Sequence, residues 1–472
     1  MLILVRRAGM AALCILLGAC ALRETQPAPP VLPPGYAEQA AGAGQQWPSE
    51  DWYGAFGSAE LNLFIEQAAS NNLDVRRARA HVLQADARAR QSGAAILPSV
   101  DVGANGNYLA GHSSAGSAHE TDWAALLSTS YEVDFWGKNR ATARAANALA
   151  ESSRADRDTV ALTALAGVAT GYFDILSLRE RLDIAVANRD AAQKLLQVIQ
   201  SRFDAGLSNP VELAAQKATL ASTALVIPEL AQREAEALAA LALLLGREPE
   251  RFVVNGRGLD ALTEPGVSAG LPSQLLTRRP DIFTAEANMR AANADLTVAR
   301  AALLPSLTLT ASGGVQNPAL NAAVISLSGA GPTLNLGAAL TQPIFDGGRL
   351  RAVRAEAQAK EEELVLAYRA AILAALVDVE NALSGLRHLE EAREFQQENL
   401  AQSERAFGGA ALRFKEGSGD YLSVLESQRT LFAARDQYSQ YKLARLQTLV
   451  ALCKALGGGW QASHLTAAKD SR

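Results

Sequence analysis

A chain of 472 residues can hold two or three ordinary domains, or one elongated molecule. Its 44 Lys and Arg nearly balance 49 Asp and Glu, which argues against a nucleic-acid-binding stripe and against an acidic disordered arm. Aromatics are only 6% and alanine dominates, a bias that suits closely packed helices and that an Ala-rich genome would also give.

Read in chain order, residues 1–19 are expected to be a signal peptide. Arg6 and Arg7 precede a short apolar run, Ala8 to Leu17, too short to remain as a membrane-spanning helix. The run ends in Leu17-Gly18-Ala19-Cys20, which resembles the lipobox of bacterial lipoproteins. That resemblance implies cleavage before Cys20, acylation of Cys20, and anchoring in lipid. Ala21 stands where an Asp would mark inner-membrane retention, so the outer membrane is the expected destination. Cys14 leaves with the signal, and Cys453 remains as a lone thiol among Leu449, Val450 and Leu452, a packed apolar residue.

Residues 20–58 begin with Pro27, Pro29, Pro30, Pro33 and Pro34, an extended tether leading into a further segment. No later stretch approaches eighteen consecutive strongly apolar residues, so a membrane crossing would have to use strands.

The body is expected to be a tandem duplication. Asp74 and Pro98 recur as Asp281 and Pro305 at an offset of 207, while Arg202-Phe203 and Gly206 recur as Arg413-Phe414 and Gly417 at 211. The first repeat, 59–250, reads as helices at about 59–96, 137–203 and 209–245, with strands at about 98–110 and 122–135. Residues 251–272 form a linker. The second repeat, 273–457, reads as helices at about 273–303, 347–414 and 420–456, with strands at about 305–315 and 333–345; a tail, 458–472, follows. In the strands, Val100 and Val102 alternate with Ser99 and Asp101, and Leu334 and Leu336 with Asn335 and Gly337. This period-two pattern fits barrel strands between lipid and water, and equally a half-buried soluble hairpin. Loops are expected at about 111–121, which would hold His112 and His119, and at 316–332. The run from Lys138 to Arg202 lacks proline and would make roughly 95 Å of helix, too long for a compact core to bury. Pro228 is expected to kink the helix that follows, and Gly385 and Gly408-Gly409 could loosen the later long helix.

Several segments resemble the outer-membrane factors of bacterial efflux and secretion systems, the TolC-like proteins, and within them the NodT/OprM-type lipoproteins paired with RND pumps. They are Gly270-Leu271-Pro272-Ser273-Gln274-Leu275-Leu276, Arg278-Arg279-Pro280-Asp281-Ile282, Leu304-Pro305-Ser306, Leu244-Leu245-Gly246-Arg247-Glu248-Pro249, Asp134-Phe135-Trp136-Gly137 and Pro343-Ile344-Phe345-Asp346-Gly347-Gly348. The resemblance implies a mainly α fold with a membrane β-barrel. Four strands per protomer would complete a trimeric twelve-stranded barrel above a long-helix α-barrel in the periplasm. Residues 36–58, 246–272 and the C-terminal segment would form an equatorial band. It implies a homotrimer working with a periplasmic adaptor and an inner-membrane pump, without cofactors. One physical argument is independent of it: four strands cannot close a cylinder, and open edges in hydrocarbon leave backbone groups unsatisfied.

Two tight turns join the long helices, Arg202-Phe203-Asp204-Ala205-Gly206-Leu207-Ser208-Asn209-Pro210 and Arg413-Phe414-Lys415-Glu416-Gly417-Ser418-Gly419-Asp420-Tyr421. A glycine can end each first helix, Ser208 or Asp420 lies where it could cap the next, and Pro210 suits its first turn. Capping alone would explain these residues. In the family the turns are periplasmic tips, which implies Arg202, Gly206, Ser208, Arg413, Gly417 and Ser418 as adaptor contacts. Asp420 is the candidate for an acidic aperture ring, with Asp204 and Glu416 in reserve; Gly419 stands where some relatives carry the acid.

Catalytic constellations are missing from the sequence. His81, His112, His119, His388 and His464 are scattered without metal spacing, and neither a GxSxG elbow nor a phosphate-binding loop occurs. The reading is therefore a passive channel, not an enzyme, with no metal and no nucleic-acid partner. Two alternatives stay open: a polypeptide secretion duct of the same fold, and a lipid-anchored periplasmic coiled-coil scaffold that does not span.

Overall fold

The computed structural model describes residues 32–37, 47–113, 116–267, 269–320 and 331–460. The signal segment, Cys20 and most of the C-terminal tail lie outside the described residues.

The elements follow the duplication closely. Helices α1 (Ala59–Asn71) and α2 (Leu73–Ala94) lead to strands β1 (Ser99–Ser113) and β2 (Gly116–Val133), then to α3 (Lys138–Asp204) and α4 (Pro210–Leu244). The second half has a short α5 (Leu275–Arg278), α6 (Pro280–Ala301), β3 (Ser306–Leu320), β4 (Gly331–Thr341), α7 (Arg349–Lys415) and α8 (Tyr421–Ala455). The two long helices α3 and α7 have 67 residues each, and α4 and α8 have 35 each. At 1.5 Å per residue the longer pair extend roughly 100 Å.

Several expectations change. The helix expected over 59–96 is broken at Asn72, whose extended backbone ends α1 and whose Oδ1 accepts from the Asp74 and Val75 amides to start α2. The one expected over 273–303 is interrupted at Arg279, held extended because it precedes Pro280. Residues 111–113 and 116–121, expected as loop, pair in the ladder, with Ala110 opposite His119 and His112 opposite Ser117. Of the second expected loop, 316–320 belongs to β3 and 331–332 to β4, while 321–330 lies outside the described residues. Pro228 lies inside α4 without ending it, and α7 runs through Gly385, Gly408 and Gly409 as one helix. One 18-residue stretch of α3 does reach the length and composition of a membrane span. Val168, Ala169, Phe173, Ile175 and Leu176 on α3 are buried in the core of the second unit.

By chain contacts the molecule divides into two units, one of Val82–Ser153 with Ala285–Arg369, the other of the remaining described residues. The first unit holds one antiparallel sheet in the order β1-β2-β3-β4. Register sorts its faces. Val102, Leu127, Gly313 and Leu334 form one row across it, and Val100, Thr129, Ala311 and Leu336 the next. The opposite face carries the rows Asp101, Ser128, Ser312, Asn335 and Ser99, Ser130, Thr310, Gly337. The apolar rows are not covered by other described residues: Val102 is 83% exposed and Leu336 77%. The outer edges of β1 and β4 are the ends of the sheet.

The second unit is built on an aromatic core. Trp52, Phe56, Phe64, Tyr172, Phe173 and Phe252 pack with Leu176, Leu241 and Leu449. Each half closes with the same joint. Asn72 Nδ2 donates to the carbonyl of Leu244, and at the matching positions Arg279 Nη1 donates to the carbonyl of Ala455. Arg279 also grips both oxygens of Asp281 and one of Asp378, which gives the Arg-Pro-Asp run a structural purpose. The linker between halves is pinned by charge: Arg179 donates to the carbonyls of Val254 and Gly256, Lys442 to Glu180 and Asp260, and Arg445 to Glu264.

Candidate functional site: the two hairpin turns

Both turns lie in the second unit and share one crossed pair of backbone hydrogen bonds. At the end of α3 the Gly206 amide donates to Phe203 O and the Leu207 amide to Arg202 O; at the end of α7 Gly417 donates to Phe414 O and Ser418 to Arg413 O. This crossed pair is the Schellman ending of a helix, and it requires a left-handed residue at its first donor. Gly206 has φ 73° and Gly417 φ 79°, so a side chain at either is strained even though open space surrounds both.

The return helices start on side-chain caps. Asn209 Oδ1 accepts from the Glu212 amide, so the cap of α4 is Asn209 and not Ser208. Ser208 instead donates its hydroxyl to the Glu212 carboxylate. The signal was available: Asn209-Pro210-Val211-Glu212 has the sequence pattern of a helix start, an Asn followed three residues later by Glu, with proline at the first helical position. Asp420 caps α8, accepting from the Ser423 amide at 2.8 Å and the Ser423 hydroxyl at 2.7 Å. Those two bonds from Ser423 hold the Asp420 carboxyl below its ordinary pKa, so it is charged at neutral pH.

A small core sits behind the turns. Phe414, Tyr421, Val424 and Leu425 pack with Leu195 and Ile199. Arg202 reaches from the first turn to the second, donating Nη1 to Phe414 O at 2.9 Å with its guanidinium 4.5 Å from the centre of the Phe414 ring. Tyr421 donates its hydroxyl to Gln216 Oε1, and Gln216 Nε2 donates to the Ala192 carbonyl. Nothing in the sequence marked Gln216, a polar residue in the middle of a helix, as the buried link between α3, α4 and α8.

Of the residues expected at the tips, Asp204, Gly206, Arg413, Glu416, Gly417, Ser418 and Asp420 are exposed, whereas Arg202 and Ser208 are half-buried and engaged. Asp204 accepts from Gln200 one turn back on α3. The acylation candidate Cys20 lies outside the described residues. Among the described residues no group of His, Cys, Asp and Glu is arranged to hold a metal ion.

A sheet with an uncovered apolar face and open edges, joined in one chain to paired helices of 67 and 35 residues, defines a protomer of a membrane channel with a helical extension. Comparison with known proteins gives the particular family. The family described as "Outer membrane efflux protein" matches residues 64–247 and 271–458, and the chain belongs to it. It is 42% identical over 464 residues to the pyoverdine export outer membrane protein OpmQ of Pseudomonas aeruginosa, covering 96% of each chain. It is 33% identical over 475 residues to the toluene efflux pump outer membrane protein TtgF of Pseudomonas putida, covering 95% of this chain and 96% of that one. Among solved structures, that of the outer-membrane channel OprN superposes with a TM-score of 0.86 at 27% identity, over 94% of this chain and all of the other. The protein is thus the outer-membrane channel component of an efflux system, in which copies of the four-stranded sheet complete a trimeric barrel.

Proposed function

We propose that the chain is the lipid-anchored exit duct of a tripartite exporter, with Cys20 acylated in the outer membrane and the turns at 202–210 and 413–421 facing a periplasmic adaptor. The observation that carries this reading is the pair of matching hairpin turns, exposed at Gly206, Gly417 and Ser418 and backed by a compact aromatic core. An exposed rim on a stiff base can bind a partner without unfolding the helices behind it.

The partner in the inner membrane is an RND-type pump, which supplies the energy; the duct itself is passive. Adaptor binding favours a dilated arrangement of the tips, which requires higher affinity for the open than for the closed state. Asp420, with Glu416 on the same turn and Asp204 on the matching one, supplies the negative charge at the aperture, attracting cations and repelling anions. Relatives whose names specify pyoverdine and toluene have similar sequences over nearly their whole length, which supports a cargo chosen upstream of the duct. Pyoverdine, the compound that the name of one relative specifies, is the first cargo to test.

The test is photocrosslinking in cells from a probe at Ser418, with a second probe at Val102 on the sheet as control. Capture of the adaptor from Ser418 alone is expected. Capture from neither position, in cells that still export, would overturn the docking assignment. Labelling with radioactive palmitate checks the anchor: Cys20→Ser should abolish it.

A further inference from the structure

The duplication makes a prediction about the subunit boundary that the single chain leaves half fulfilled. Arg202-Phe203 and Arg413-Phe414 are matching pairs, 211 residues apart, at the ends of helices of equal length. Two cross-contacts are possible between them. One is made within the chain: Arg202 stacks on the Phe414 ring and donates to the Phe414 carbonyl. The converse, Arg413 with Phe203, is not. The Arg413 side chain is exposed, with no side-chain partner among the described residues, and Phe203 is half-buried. The Phe203 carbonyl, like that of Phe414, accepts from the turn glycine, Gly206 in its case. Its second lone pair is the one that Arg202 fills on Phe414.

In a ring of three chains with two matched halves each, the neighbours alternate. The first half meets the second half within a chain, and the second half meets the first half of the next chain, head to tail. We infer that Arg413 clasps Phe203 of the partner subunit, stacking on its ring and donating to its carbonyl, so that three intersubunit clasps alternate with the three intrachain ones around the tip. The inference rests on the trimeric reading of the chain. Chemistry favours the contact on both sides. A guanidinium stacks on an aromatic face and retains its donors for a carbonyl. The end of a 67-residue helix offers a cation the negative end of its dipole.

The experiment replaces Phe203 with a photoreactive benzoylphenylalanine in the full-length protein, purified in detergent as a heat-sensitive trimer. The same probe at Phe414 serves as reference and should give an intrachain adduct around Arg202. From position 203 the expected product is an interchain adduct that mass spectrometry maps to residues around Arg413. An adduct only within the chain, or none, from a sample that migrates as a trimer would overturn the clasp; absence of any trimer for the unmodified protein would instead remove the reading beneath it. A second measurement needs no probe. Arg413→Gln and Phe203→Leu should each lower the temperature at which the trimer dissociates, and the double variant should shift it no further than the larger single change. Additive shifts would contradict a shared contact.

Discussion

At the scale of the residue, the structure separates side chains that look alike in the sequence. Ser208 and Asn209 are both good capping residues, but only Asn209 accepts from the backbone at the start of α4. Asn209→Ala should therefore cost about 1 kcal/mol of tip stability, read as earlier hydrogen exchange in the first turn of α4, and Ser208→Ala clearly less. Asp420 has a depressed pKa, so its capping contribution is complete above the unfolded-state value of about 3.8 and is lost as the pH falls through its lower folded value. Its removal by Asp420→Ala should raise single-channel conductance at neutral pH, while acid should reproduce the effect only below about pH 4; a conductance change centred near pH 6 would point to another group. Cys453 is a quieter case. Burial pushes its thiol up to about 12, and maleimide should label it only after denaturation; rapid labelling of the native protein would show a looser core. The apolar neighbours of Cys453 made that burial readable in advance. Gln216 was not readable, because the partners that make it useful, Tyr421 and the Ala192 carbonyl, come from distant parts of the chain.

At the scale of the element, the duplication is the organising fact, and repeated short motifs were enough to reveal it. The motifs work because each marks a joint that geometry constrains: a helix end at Gly206 and Gly417, and a helix start before Asp74 and Asp281. What they could not reveal is how the halves diverge while keeping a contact. Arg179 on α3 pairs with Glu234 on α4, and at the matching positions Glu390 on α7 pairs with Arg445 on α8, the charges exchanged. Both arginines also hold the linker, Arg179 through two carbonyls and Arg445 through Glu264. Reversing one charge, as in Glu234→Arg, should cost on the order of 3 kcal/mol because it leaves partly buried like charges together. The exchanged pair Arg179→Glu with Glu234→Arg should recover only part of that, since a carboxylate cannot donate to the Val254 and Gly256 carbonyls. Full recovery in a thermal melt would mean those two bonds contribute nothing. The strands were legible as alternating apolar and polar residues, but β1 and β2 were expected too short, since His112, Ser117 and His119 continue the ladder without continuing the apolar pattern, and β4, expected to reach 345, ends at Thr341.

At the scale of the whole molecule, the deciding feature is surface that one chain leaves uncovered. The rows led by Val100 and Val102 are exposed, and both sheet edges end without a partner strand among the described residues. In water such a surface would aggregate, and in hydrocarbon the open edges would leave amides and carbonyls unpaired. Lipid against the apolar rows and neighbouring copies against the edges resolve both problems together. That logic was available from the alternation alone, but the alternation also fits a soluble hairpin, and it took the uncovered face and the family match to decide between them. The identity of the adaptor, the pump and the cargo is written in other chains, which is why no pattern in this one specifies them.

The most direct test of the central claim is conductance across a planar lipid bilayer, measured on the detergent-purified protein before and after heating. The heat-sensitive trimer should insert and give discrete conductance steps, and heated monomers should give none. A folded, intact trimer that inserts and passes no ions even with Asp420→Ala and Gly417→Val in place, or steps of the same size from monomers, would contradict the account.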